Sequence, residues 1–217
     1  MPSKKTTKNA LKRINDSVEK ACRKNPLFSD GSLVFGEGPA PAKLMIVGEA
    51  PGRTETREKK PFVGKAGAYF TSILEEELGL KRERIYITNV VKVWPKIDTP
   101  RGRTRAPSAA EEAFFLPYLM KEIAAVEPVV IIAVGKTAFK ALVPERAFKP
   151  NRWVETEGLR IMPVYHPAYL QRRRRSMAEL EEELRAALKE VAALIKPRRR
   201  RRRRRRSEKK QREGSSD

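Results

Sequence analysis

Four short apolar runs organise the middle of the chain: Lys43 to Glu49, Arg84 to Val91, Val129 to Gly135 and Leu159 to His166. Each is rich in β-branched residues and ends on a glycine or a polar residue, the pattern of strands buried on both faces. Residues 66–78, 109–126 and 136–142 lie between them with apolar positions at helical spacing, and 177–195 follows the last run. Strand then helix, repeated four times, predicts an α/β fold. The expected form is a three-layer α/β/α sandwich with a four-stranded, mostly parallel sheet and right-handed crossovers. Such sheets bind ligands at the carboxyl ends of their strands. Those ends run into Gly48-Glu49-Ala50-Pro51-Gly52, Asn89, Gly135-Lys136-Thr137 and His166-Pro167-Ala168-Tyr169-Leu170.

Outside this pattern the chain changes character. In residues 1–25, Ala10, Leu11, Ile14, Val18 and Ala21 recur at helical spacing among lysines, which predicts a basic amphipathic helix ahead of a domain spanning 26–196. Residues 197–217 hold nine consecutive arginines and then a Lys, Glu, Ser and Gly tail. That composition cannot bury a core and predicts disorder when free.

Charge points to the kind of partner. The 217 residues carry 48 Lys and Arg against 27 Asp and Glu, a net +21, of which residues 1–24 contribute +6 and residues 197–217 contribute +9. Two basic arms on a moderately basic body favour a polyanion such as nucleic acid. No apolar run approaches the roughly 18 residues of a membrane span, and Met1 to Lys12 has no apolar signal segment, so a soluble intracellular protein is expected. The single cysteine, Cys22, excludes an intramolecular disulfide and any four-thiolate zinc or iron-sulfur site. His166 is the one histidine, which excludes His-rich metal sites and histidine dyads. No metal site is expected.

Three local features are candidates for chemistry. Gly48 to Gly52 lacks the Walker lysine and the third glycine of a dinucleotide fingerprint, so phosphate-binding NTPases are disfavoured and a strand-to-helix turn is the plain alternative. Pro61-Phe62-Val63-Gly64-Lys65-Ala66-Gly67 sets an aromatic in a loop before a helix, either as a core plug or as a platform for a base. His166 follows a strand, where it is either a satisfied polar group or, with Glu49 and Asn89, part of a site.

The series Val-Gly-Glu-Ala-Pro-Gly (47–52), Glu55, Pro-Phe-Val-Gly-Lys-Ala-Gly (61–67), Tyr-Ile-Thr-Asn-Val-Val-Lys (86–92) and His-Pro-Ala-Tyr-Leu (166–170) resembles the family-four uracil-DNA glycosylases over about residues 20–175. The resemblance implies hydrolysis of the N-glycosidic bond of uracil in DNA, leaving an abasic site. The base would be flipped out of the helix into a pocket. Phe62 is then the stacking ring. Asn89 reads the N3 and O4 edge, since an amide presents a donor beside an acceptor. His166 donates to O2, where charge develops as uracil leaves. Glu49 and Glu55 would position water or base and exclude the 5-methyl of thymine, with Ala50 and Gly52 on the substrate side. Leu170 or Tyr169 would fill the vacated stack, while Arg172, Arg173, Arg174, Arg103 and Arg105 would grip phosphates.

Departures from the family are equally informative. Its members usually hold a [4Fe-4S] cluster on four cysteines, and only Cys22 matches. Asn25, Val93 and Phe114 or Phe115 stand at the other places, so no cofactor is expected and apolar packing is expected to do the cluster's structural work. A related group crosslinks itself to abasic DNA through a loop histidine. Thr104 stands near that position, so turnover is expected. Thr56 and Lys59 replace an acidic residue and a glycine, which leaves open an enzyme for other deaminated bases such as hypoxanthine or xanthine. A non-catalytic binder of damaged or abasic DNA is a third alternative. A monomer acting on uracil-containing DNA in the cytoplasm or nucleoid, or the nucleus in a eukaryote, with no membrane partner, completes the expectation. The arginine run reads as a flexible tether to DNA or RNA, a nuclear-type address or a solubilising tail, with the DNA tether preferred.

Overall fold

The computed structural model describes residues 4–28, 31–97, 102–172 and 177–195. The tail, Arg173 and Arg174 therefore lie outside the described residues. The elements in chain order are α1 (Lys4–Arg23), β1 (Leu44–Gly48), α2 (Arg53–Glu58), α3 (Lys65–Leu78), a 3₁₀ turn (Arg82–Arg84) and β2 (Tyr86–Asn89). Then come β3 (Lys96–Ile97), β4 (Arg103–Thr104), α4 (Ala109–Val126), β5 (Val130–Val134) and α5 (Lys136–Leu142). β6 (Val154–Thr156), β7 (Leu159–Val164), α6 (Pro167–Arg172) and α7 (Met177–Ile195) complete the chain.

The main sheet has five strands in the order β2-β1-β5-β7-β6, not four. The first four are parallel, and β6 pairs antiparallel with β7 through Val154↔Ile161 and Thr156↔Leu159. β6 has no apolar run to reveal it because it is a three-residue edge strand, Val-Glu-Thr, with only Val154 buried. Its link to β7 is a tight turn in which Glu157 (φ 48°) and Gly158 (φ 77°) are both left-handed, the geometry two-residue hairpins require. β3 and β4 form a separate small hairpin.

Every position of β1 is buried, and its side chains divide by the two-residue period of a strand. Met45 and Val47 face a core with Val18 and Cys22 of α1, Phe115, Leu119 and Ile123 of α4, and Phe139 of α5. Leu44 and Ile46 face the opposite core, built by Phe70, Ile73 and Leu74 of α3 and Leu184, Leu188 and Val191 of α7. Each such side chain contributes about 1.5–3 kcal/mol through burial, and both faces of the sheet are thereby covered. α4 starts on a capping box: Ser108 Oγ accepts from Glu111 N at 3.2 Å while Glu111 Oε2 accepts from Ser108 N at 2.6 Å. α3 stops at Gly79, whose φ of 63° suits glycine.

The chain passes from β1 to β2 on one side and then returns past β1 to β5 on the other. In open α/β sheets such a reversal marks the place, at the carboxyl ends of the strands, where ligands bind.

Candidate active site

Gly48 closes β1 opposite Asn89, the last residue of β2. A β-carbon at Gly48 would overlap Asn89 Oδ1 and stand 2.6 Å from Cε2 and Cζ of the Phe62 ring. The bare backbone of Gly48 is therefore where the ring and the carboxamide meet, and only glycine fits. Asn89 is buried. The loops that leave the two strands are tied together, with Val90 N donating to Gly48 O at 2.8 Å and Val91 N to Glu49 O at 3.0 Å.

Phe62 has a left-handed backbone, φ 56°, which costs a non-glycine residue of order 1–3 kcal/mol and persists only where the surroundings enforce it. Arg82 supplies much of that enforcement. Its guanidinium donates to Pro61 O at 2.5 Å and Phe62 O at 3.4 Å, and is itself held by Glu37 Oε1 at 2.5 Å. Gly67 lets the helix approach, since a β-carbon there would come within 2.5 Å of the Phe62 backbone. The Phe70 ring backs the Phe62 ring at 6.0 Å.

The resemblance gives Glu55 a part in positioning water or base and in excluding the 5-methyl of thymine. Instead its carboxylate bridges two loops, Oε2 accepting from Gly52 N at 3.1 Å and Oε1 from Gly64 N at 2.6 Å. Both oxygens are engaged by backbone, so Glu55 fixes the distance between the Gly52 turn and the Phe62 loop. Gly52 takes part through its amide, and Ala50 lies half-buried just after Glu49.

On the other side of β1, Glu49 Oε2 accepts a hydrogen bond from Thr137 Oγ1 at 2.6 Å, joining the end of β1 to the first turn of α5. Glu112, in the first turn of α4, is pushed up by burial and then by the negative charges of Glu49 and Glu111. Gly135, with φ 91°, leaves the space that His166 occupies: its β-carbon would lie 3.3 Å from His166 Cβ. His166 Nδ1 accepts from Ala168 N at 3.2 Å. A ring nitrogen that accepts carries no proton, so the imidazole proton of this tautomer sits on Nε2.

The expected DNA contacts are redistributed. Leu170 is fully buried in the core under α3 and α7, so its side chain is not the one presented to a duplex. Tyr169, half-buried, stacks on Tyr165 with ring centroids 5.0 Å apart, and Phe148 adjoins Tyr165 at 6.1 Å. Arg105 is not a free phosphate ligand either. Its Nη1 and Nη2 donate to the two oxygens of Glu111 at 2.7 and 2.8 Å, a bidentate pair that fastens the β3–β4 hairpin to α4. Arg103 is exposed on the same hairpin, and Arg172 closes α6. Trp94 Nε1 donates to Thr104 Oγ1 at 2.9 Å across the base of the hairpin.

Of the four positions at which the resemblance sets cysteines, three hold other residues. Cys22, Val93 and Phe115 belong to one apolar cluster, and Phe28 packs against Phe114 and Phe115 at 4.6 and 5.1 Å. Asn25 N donates to Cys22 O in the turn between them. One thiol among aromatic rings does not fit a [4Fe-4S] group, which needs four ligands.

Fold and site together define a doubly wound α/β protein with candidate ligand groups, Glu49, Asn89 and His166, just at or after strand ends. The profile of the Uracil DNA glycosylase superfamily matches residues 35–192. The chain is 35% identical over 176 residues to the type-4 uracil-DNA glycosylase of Thermotoga maritima, covering 77% of this chain and 87% of that one. Against the type-4 enzyme of Archaeoglobus fulgidus it is 31% identical over 200 residues, 85% of this chain and 94% of the relative. It is 29% identical over 174 residues to a type-5 uracil-DNA glycosylase of Pyrobaculum aerophilum, 70% of this chain and 74% of the relative. The chain belongs to the uracil-DNA glycosylase superfamily.

Proposed function

We propose that the protein is a monofunctional glycosylase that excises uracil from DNA and initiates base-excision repair. The observation that carries this reading is the meeting of the Phe62 ring and the Asn89 amide on Gly48, with the His166 imidazole packed on Gly135 at the end of β5, the next strand of the sheet. A pyrimidine swung out of the helix stacks on Phe62 and pairs its N3 and O4 edge with Asn89. As the C1′–N1 bond breaks, its electron pair passes to uracil and the sugar gains positive charge. His166 Nε2–H at O2 stabilises the anion in the transition state more than in the ground state. Glu49, held through one oxygen by Thr137, orients the water that adds to C1′ and receives its proton.

Base excision here proceeds without an iron-sulfur cluster, the aromatic packing around Cys22 serving in its place. Among the described residues no helix is long and apolar enough to cross a membrane, and DNA in the cytoplasm or nucleoid is the substrate. The protein acts as a monomer. Tyr169, Arg103 and Arg172 to Arg174 contact the duplex around the lesion.

The test is an excision assay on oligonucleotides carrying uracil, hypoxanthine or xanthine, followed by alkali. The reading requires many turnovers on uracil and little on the purines. Purine excision exceeding uracil excision would make it a glycosylase of other deaminated bases, and binding without cleavage would make it a damage binder.

A further inference from the structure

Lys92 and Glu122 are completely buried, with side chains 0% and 1% exposed, and form an ion pair at 2.6 Å beneath the strand that carries Asn89. The ammonium spends its donors on three acceptors: Glu122 Oε2, Thr88 Oγ1 at 2.7 Å, and the backbone carbonyl of Asn89 itself at 2.8 Å. Thr88 in turn donates to Glu122 Oε2 at 3.1 Å. Nothing in the catalytic scheme above uses this network.

Stability is a poor account of it. A buried ion pair gives up the hydration of both charges, and replacing such a pair by apolar residues of similar volume is often neutral or stabilising. This one is moreover incomplete, because Glu122 Oε1 is buried without a hydrogen-bond partner among the described residues. What the network does contribute is geometry. Asn89 is the last residue of β2, and Lys92 reaches back under the turn that follows to hold its carbonyl from within. Glu122, on α4, fixes the ammonium against the opposite layer.

We propose that Lys92, anchored by Glu122 and Thr88, is a positioning residue for Asn89. It sets the backbone of the residue that reads the uracil edge, and so determines how the carboxamide meets the base. This rests on the functional reading above. A small misplacement of a base-reading group costs on the order of 10- to 100-fold in rate.

The test replaces the pair together, Lys92→Met with Glu122→Leu, so that no lone charge is left inside. Wild-type protein excising uracil is the precondition, and its failure would remove the functional reading and not this inference alone. Melting temperature, single-turnover excision, inhibition by free uracil and affinity for abasic-site DNA are then compared. The proposal expects an unchanged or higher melting temperature and unchanged abasic-DNA affinity, with excision slowed about 10- to 100-fold and inhibition by uracil weakened in step. Wild-type excision in the folded variant would overturn it, as would an equal loss of abasic-DNA affinity, which marks a general defect. Should that variant not fold, Lys92→Gln with Glu122→Gln keeps a neutral hydrogen-bonded couple while position 92, one bond shorter, withdraws from Asn89. The same loss supports the proposal. Wild-type excision, or rate and stability falling together in both variants, contradicts it.

Discussion

The ring of Phe62 lies so close over Gly48 that a β-carbon at residue 48 would stand 2.6 Å from it. The same β-carbon would overlap the Asn89 amide. Gly48→Ala therefore fills the space in which ring and amide meet, while the strand backbone can accept alanine. We expect a destabilisation of about 1–3 kcal/mol from overpacking and a loss of excision out of proportion to it. Single-turnover rates alongside thermal melts check this.

Arg82 gives a second test at the opposite end of the Phe62 loop. Arg82→Ala removes the donors to Pro61 O and Phe62 O and releases a left-handed residue whose conformation is costly to keep. Uracil inhibition should weaken and excision fall, with affinity for abasic DNA retained, because the ring and not the phosphate grip is disturbed. Arg82→Lys should recover only part, since one ammonium cannot span the Glu37 carboxylate and two carbonyls.

Of the two candidates for the vacated stack, Leu170 is enclosed in the core and Tyr169 is half-buried. Leu170→Ala should cost about 2–5 kcal/mol in stability as a core truncation. Tyr169→Ala should leave the melting temperature nearly unchanged and slow excision from duplex about tenfold, the worth of one lost stacking contact. Excision from single strands, where no stack is vacated, should be spared. Equal effects on both substrates would assign Tyr169 another role.

The hairpin anchor sets a pH dependence. Hydrogen bonding by Arg105, assisted by Ser108 and opposed by burial, holds the Glu111 carboxyl down at about 2, against an ordinary 4.5. The unfolded or detached carboxyl binds protons more readily than the anchored one. The anchor's stabilisation is thus complete above pH 4.5 and is lost as pH falls toward 2. In a Trp153→Phe background, Trp94 fluorescence should change over that window. Glu111→Gln should show the detached signal at neutral pH, and a signal identical to the parent's would mean that the pair does not hold the hairpin.

The parallel strands were legible because burial on both faces leaves an unbroken apolar run, as in Leu44 to Val47. β6 was not, because an edge strand with one inward residue has no such run, and α2 was not, because none of its six residues is buried. In the site, Asn89 and His166 announce themselves as unusual residues at strand ends, and Phe62 as an aromatic in a loop before a helix. Arg82 does not, and the pairing of Thr137 with Glu49 is hidden too, because the partners lie 21 and 88 residues away in sequence and only the fold joins them. Leu170 and Glu55 show the converse. A motif fixes which residues matter, but α6 alone decides that Leu170 turns inward, and two backbone amides decide that Glu55 is a clamp.

The most direct measurement is the single-turnover rate of uracil excision for Asn89→Ala and His166→Ala beside the parent, each with its melting temperature. Removing one transition-state donor from a preorganised site costs about 10²–10³ in rate, so both variants should be slowed to that degree while remaining folded. Rates near that of the parent in either folded variant would contradict a site built from these two side chains.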